Sequence, residues 1–189
     1  MTVIAAAILA AGADRRCGQP KQLLVWRGTT LVRAIAVQTC AATSFGEIAI
    51  VLGAHADLII PELAGLPVTP LAIPPWATHV SSSLRVAVGW ARERGAEALA
   101  LLGCDQPRIT GKHLDRLCGA FRMSGRSTAS RFGGALHLPA VIDATAFDAL
   151  LAEGVAIATS TAFAVPWPDG AFDLDASPSL AAAIRRRIS

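Results

Sequence analysis

The stretch Val3-Ile4-Ala5-Ala6-Ala7-Ile8-Leu9 runs directly into Ala10-Ala11-Gly12-Ala13-Asp14-Arg15-Arg16-Cys17-Gly18-Gln19-Pro20-Lys21, and its reading decides that of the whole chain. The first part is apolar at every position, without the alternation of a strand that has one wet face. Such a run predicts a strand covered on both sides, as in a parallel sheet held between helices. The second part changes abruptly to small, basic and turn-forming residues. In open α/β sheets ligands bind just beyond the carboxyl ends of the strands, so a site is expected here. A secretory leader is the competing explanation for the run Thr2–Ala11. No basic residue leads into it, and its ten residues are too few to cross a bilayer.

Working outward, apolar runs of strand length alternate with segments of helical period through all 189 residues. Strands are expected over Glu47–Leu52, Pro67–Ile73, Ala96–Leu102, Ser127–Arg131 and Pro139–Ile142, the last two around a glycine-rich turn. Helices are expected over Leu31–Cys40, with Thr29 or Thr30 as N-cap, and over Ala56–Leu63 and Ser82–Arg94. Thr110 is placed to cap a further helix whose apolar face carries Leu114, Leu117, Cys118 and Phe121. Thr145–Leu151 and Ser179–Ile188 also read as helical. Strand–helix alternation implies right-handed crossovers. The expected architecture is a single α/β domain over 1–189, a three-layer sandwich with a mostly parallel, Rossmann-like sheet.

Composition narrows the function. Hydrophobic residues make up 53% and charged ones only 16%, which argues for a packed core and against disorder. A net charge of +3 is too small to imply a nucleic-acid partner, yet it suits an anionic substrate. Part of it sits in Arg185-Arg186-Arg187, a run that reads as a solvated helix end. The four cysteines, Cys17, Cys40, Cys104 and Cys118, form no CxxC pair, so reduced thiols and a cytoplasmic location are expected. No transmembrane segment and no internal repeat is evident.

The loop from Leu9 to Lys21 carries the chemistry. Gly12 and Gly18 let the backbone bend and approach a ligand, and Arg16 and Lys21 can neutralise phosphate oxygens. The spacing is neither a Walker A loop nor a GxGxxG fingerprint. It does follow LAAGxxxRxGxPKxLL, and in this it resembles the opening motif of the MobA-like nucleotidyltransferases, of the nucleotide-diphospho-sugar transferase fold type. That resemblance implies that Leu9, Ala10, Ala11 and Gly12 meet the nucleotide and that Arg16 and Lys21 serve the triphosphate.

Three later segments extend the resemblance in order along the chain. Ser81-Ser82-Ser83-Leu84, within Trp76–Gly89, supplies more serines than an N-cap needs and resembles the family's GMSSSLRAG segment, with His79-Val80 in place of Gly-Met. Ser82, Ser83 and Leu84 are the implied nucleotide contacts, and Arg85 is either a phosphate ligand or a surface charge. Gly103-Cys104-Asp105-Gln106-Pro107 ends a buried run and resembles GDQP, whose Asp binds metal in the family. Phe172-Asp173-Leu174-Asp175 resembles the family's DIDTPEDL ending, which makes Asp175 the second implied ligand and Asp173 a weaker one. Mg²⁺ suits such hard oxygen ligands. Gly133, Gly134 and His137 map loosely onto a turn beside the acceptor in the family, and Ala156 stands where its members commonly carry Arg.

The resemblance implies transfer of a nucleoside monophosphate from an NTP to a phosphorylated acceptor, with Lys21, Arg16 and Asp105 as catalytic residues and Asp105 and Asp175 on Mg²⁺. Leu-Ala-Ala-Gly and the serine run favour CTP and a molybdopterin-type cofactor, with a molybdoenzyme as a possible transient partner. Left open are a sugar or alcohol phosphate acceptor, a non-catalytic accessory role in nucleotide or cofactor binding, and a redox or thiol protein using Cys17 and Cys104.

Overall fold

The computed structural model describes residues 3–13, 15–16, 19–73 and 80–171. Seven strands form the main sheet: β1 Ile4–Ala10, β2 Glu47–Leu52, β3 Thr69–Ala72, β4 Ala98–Gly103, β5 Thr128–Phe132, β6 Ala135–Asp143 and β7 Phe163–Pro166. Their order across the sheet is β7-β5-β6-β4-β1-β2-β3. Strand β1 pairs in parallel with both β4 and β2, and β6 alone runs against its two neighbours, β4 and β5. The mostly parallel sandwich expected from the sequence is the one observed.

The apolar run is buried on both sides as expected. Ile4, Ala6 and Ile8 face a core shared with helix α1 (Leu31–Cys40), the short α2 (Ala56–Ile59) and α4 (Gly111–Ser124); α3 (Val80–Glu93) lies on the opposite face. Ala5 and Ala7 face the other core, built with α3, α5 (Phe147–Glu153) and α6 (Val155–Thr159). Strand β4 divides likewise: Ala100 and Leu102 join the first core, and Leu99 and Leu101 join the second. Alanine along β1 lets helices lie close on both faces. The larger neighbours supply the stability, each fully buried leucine or isoleucine contributing about 1.5–3 kcal/mol.

Local differences from the sequence reading have physical reasons. Thr30 precedes α1, but its hydroxyl donates to Glu62 Oε2 at 2.8 Å instead of capping the helix. Thr110 does cap α4, its side chain accepting from the His113 amide. Helix α3 begins at Val80, so Ser81, Ser82 and Ser83 lie within its first turn, not before it. Strand β6 is longer than the expected Pro139–Ile142, because the Gly133-Gly134 turn, with φ of 56° and 83°, folds β5 and β6 into a hairpin. Strand β7 and helix α6 have no counterpart in the sequence reading. The helix expected over Ser179–Ile188 lies outside the described residues.

A buried polar chain fastens α4 to the hairpin. The Ser130 hydroxyl donates to the Pro139 carbonyl at 2.7 Å, so its oxygen accepts from His113 Nε2 at 2.8 Å. That leaves His113 Nδ1 without a proton, buried, and without a partner among the described residues. Burial, and secondarily the Arg116 charge, hold the imidazole pKa down to about 4. The unfolded chain therefore takes up a proton near pH 6.5 that the folded chain refuses until about pH 4. The contribution to stability is complete above pH 6.5, shrinks as pH falls, and is gone below the folded pKa. Urea unfolding at pH 7.0 and 4.5 should show the loss on acidification to be about 2–3 kcal/mol smaller in His113→Gln than in the unaltered protein. Equal losses would contradict this account.

Candidate active site

Parallel pairing sets Leu9 of β1 opposite Gly103 of β4, so the two strands end side by side. The segments leaving them, Ala11-Gly12 and Cys104-Asp105, form two walls of a cavity of about 180 Å³, and Ser83 from the first turn of α3 forms a third. Lys21 and Gln22, from a short 3₁₀ turn over Lys21–Leu23, complete it. The cavity lies at the carboxyl ends of the parallel strands, where the topology predicts a ligand.

At its centre Lys21 and Asp105 meet. The Lys21 ammonium lies 3.1 Å from Asp105 Oδ2, with the lysine side chain 10% exposed and the carboxylate 38% exposed. The buried lysine is held in place by its partner, and the carboxylate keeps a face toward solvent. Gly103 explains part of this geometry. A Cβ there would stand 2.7 Å from Asp105 Oδ1, so the carboxylate folds back over the glycine.

Two glutamines secure the flanking loops. Gln22 Nε2 donates to the carbonyls of Ala10 and Gly12 at 2.9 and 2.7 Å. Gln106 Nε2 donates to the Leu138 carbonyl at 2.8 Å, tying the Asp105 segment to β6 where its pairing register shifts between His137 and Ala140. His137 itself stacks on Phe132 with centroids 4.0 Å apart. Gly53, which follows β2, presses on the first loop from its other side, and a Cβ on it would lie 2.5 Å from the Ala11 carbonyl oxygen. Neither glutamine nor Gly53 was singled out from the sequence. The signals were slight: Gln22 follows Lys21, and Gln106 follows Asp105 within the segment that resembles GDQP.

Of the residues singled out, the fold brings Leu9, Ala11, Gly12, Lys21, Ser83 and Asp105 around one cavity. Ala10 and Leu84 are core residues, 1% and 3% exposed, so Ala10 can offer a ligand only its backbone, and its carbonyl is taken by Gln22. Ser82 is half-buried in the first turn of α3, and Arg85 is exposed on that helix. The backbone of Arg16 pairs with Gln19 in a two-residue ladder just before Lys21. Asp173, Asp175, Cys17 and His79 lie outside the described residues.

Metal binding can be tested against the donors present. Among the described residues no three His, Cys, Asp or Glu side chains converge. Asp105 is a single hard oxygen donor, partly exposed and beside a buried cation. That fits Mg²⁺, which is often held by one or two protein carboxylates together with substrate phosphates and water. The thiols suit a metal or redox role less well. Burial raises the pKa of Cys40, and it pushes Cys118 up to about 12, despite the opposing charge of Arg122. A protonated buried thiol is a poor nucleophile. Cys104 lines the cavity beside Asp105.

A larger groove, about 780 Å³, lies against α1, between Trp26, Arg27 and Val37 on one side and Pro107, Arg108 and Asp169 on the other. Of its charged residues, Arg27, Arg108 and Asp169, the last two approach to only 3.9 Å. The smaller cavity is the better candidate despite its size, because the buried lysine, the carboxylate and the glycine loop converge there.

Comparison with known proteins places the chain in a family. Residues 6–159 match the MobA-like NTP transferase domain, and the chain belongs to that family of nucleotidyltransferases. Over 124 residues it is 32% identical to the nicotine blue oxidoreductase of Paenarthrobacter nicotinovorans, a match covering 65% of this chain. The chain spans 59% of the length of that relative. Among solved structures, Rv0371c of Mycobacterium tuberculosis H37Rv in complex with manganese is 24% identical, with TM-score 0.71 over 99% of this chain and 98% of that one. The 4-diphosphocytidyl-2C-methyl-D-erythritol synthase of Anaerococcus prevotii DSM 20548 is 11% identical, with TM-score 0.75 over 99% and 96%. At these identities the two structures speak to fold. Among the described residues no helix is long and apolar enough to cross a membrane.

The tight contact at Gly53 gives a direct check on the loop. Gly53→Ala should cost about 1–3 kcal/mol in urea unfolding, because neither backbone can yield without disturbing the site. Unchanged stability would show that the loop after β1 is not held as described.

Proposed function

We propose that the protein transfers CMP from CTP to a molybdopterin-type cofactor and releases pyrophosphate. The observation that carries the transferase chemistry is the Lys21–Asp105 pair, 3.1 Å apart in the cavity beyond β1 and β4. A terminal phosphate oxygen of the acceptor attacks the α-phosphorus of the NTP. The bond from that phosphorus to the bridging oxygen breaks, and the β- and γ-phosphates leave together. Such an acceptor is already ionised at neutral pH, so no general base is needed. Catalysis then rests on alignment and on offsetting charge.

Lys21 offers a buried cation to the phosphates, and Arg16 is proposed to assist it. The loop Leu9–Gly12 and Ser83 receive the nucleotide, with Ser82 beside them on α3. Asp105, joined by Asp175, would hold Mg²⁺, and the metal would supply charge neutralisation across phosphate oxygens. The manganese complex of a structural relative makes a divalent cation plausible for this fold. The choice of CTP rests on Leu9-Ala10-Ala11-Gly12 and Ser81-Ser82-Ser83-Leu84, and the acceptor on the family resemblance. A sugar or alcohol phosphate would use the same chemistry, and a non-catalytic accessory protein would bind without turnover. The 32% identity to a protein named as an oxidoreductase carries a redox reading, in which Cys104 would take part. Full pyrophosphate release by Cys104→Ser would set the thiol version of that reading aside.

Pyrophosphate release should be followed with each of the four NTPs, with and without the cofactor. The expected outcome is cofactor-dependent release with CTP, lost on treatment with EDTA and restored by Mg²⁺ or Mn²⁺. Asp105→Ala should lower kcat by about a hundredfold or more, the scale on which a charge-stabilising group acts. Release with GTP and not CTP would overturn the choice of nucleotide. No release with any NTP and several phosphorylated acceptors would overturn the transferase reading.

A further inference from the structure

Gln22 stands next to Lys21, is 2% exposed, and reaches the main chain of the nucleotide loop through its side-chain amide. Both protons of its amide nitrogen are consumed, one by the Ala10 carbonyl and one by the Gly12 carbonyl. This fixes the orientation of the amide, because the reversed group would set an oxygen against two carbonyl oxygens. Its Oε1 is left buried without a partner among the described residues. An unpaired buried acceptor is costly, so the orientation is maintained by the other end of the amide.

That orientation has a consequence for the loop. In a trans peptide the carbonyl and the following N–H point in opposite directions, and the only cis bond among the described residues is Leu138–Pro139. Turning the carbonyls of Ala10 and Gly12 toward Gln22 therefore turns the N–H groups of Ala11 and Ala13 away from it. Gly53 closes on the intervening Ala11 carbonyl from another direction, so three successive peptide planes are set. We propose that Gln22 is a positioning residue that aims the Ala11 and Ala13 amides at the phosphates of the bound nucleotide. The proposal rests on the nucleotidyltransferase reading and adds to it how the loop is kept ready for an anion. A loop held this way binds phosphate without first reordering.

The test compares the unaltered protein with Gln22→Met, which fills the space but cannot donate, and Gln22→Glu, which sets an oxygen against the two carbonyls. CTP affinity is measured by calorimetry with Mg²⁺, alongside kcat and KM for pyrophosphate release. Gln22→Met should weaken CTP about tenfold and raise KM to match, with kcat at saturation within about twofold. Gln22→Glu should be weaker still. The loss should be the same for every NTP that the unaltered protein binds, because the phosphates are common to all. Unchanged affinity in Gln22→Met, or a fall in kcat with KM unaltered, overturns the proposal while leaving the transferase reading intact. Failure of the unaltered protein to bind any NTP overturns that reading and the proposal with it. Should the variants not fold, amide exchange on the unaltered protein decides the matter. CTP must slow exchange at Ala11 and Ala13, and unchanged exchange there overturns the proposal.

Discussion

The parallel pairing of β1 with β4, which sets Leu9 against Gly103, is the constraint on which the rest of this molecule depends. It brings two chain segments that are remote in sequence together in the middle of the sheet and ends them at the same level. Lys21 and Asp105, 84 positions apart, can then meet at 3.1 Å. The pairing itself follows from burial: a strand apolar at every position must have a neighbour on each side and a helix on each face. Alanines at the centre of β1 bring those helices close, and larger side chains on the flanking elements fill the cores.

Around that pairing the polar groups act as fasteners. Gln22 grips the loop after β1, and Gln106 grips β6 just before Pro139. Each adjoins one member of the Lys21–Asp105 pair. A connected path therefore runs from the Leu138 carbonyl through Gln106, Asp105, Lys21 and Gln22 to the carbonyls of Ala10 and Gly12. Farther along the same hairpin, Ser130 and His113 hold the Pro139 carbonyl to α4. The loop after β1 and the middle of β6 are thus braced against each other through the Lys21–Asp105 pair. A reaction that depends on alignment more than on proton transfer benefits from such bracing.

Much of this was legible in the sequence, and what was not has a physical reason. Strand β2 and helix α1 have the bounds expected, because continuous burial and helical period are local patterns. Gly12, Lys21 and Asp105 could be singled out because a charge or a glycine near a strand end stands out against an apolar run, and Leu9 because it opens the Leu-Ala-Ala-Gly motif. Strand β7 could not: Phe163-Ala164-Val165-Pro166 is short, lies at the sheet edge and leaves Phe163 half exposed, so no period marks it. Gln22 and Gln106 escaped notice because each acts on a backbone carbonyl 10 to 32 residues away, which no side-chain pattern records. Leu84 shows the converse, since it lies within a recognised motif yet its side chain belongs to the core beneath α3.

A crystal grown with CTP and Mn²⁺ tests the central claim most directly, because manganese scatters anomalously and marks its own position. The expected anomalous peak lies within coordination reach of the Asp105 carboxylate, with the triphosphate against Lys21 and the Ala11–Gly12 loop. A nucleotide and metal seated instead in the larger groove beside Trp26 and Arg108, away from Asp105, would contradict it.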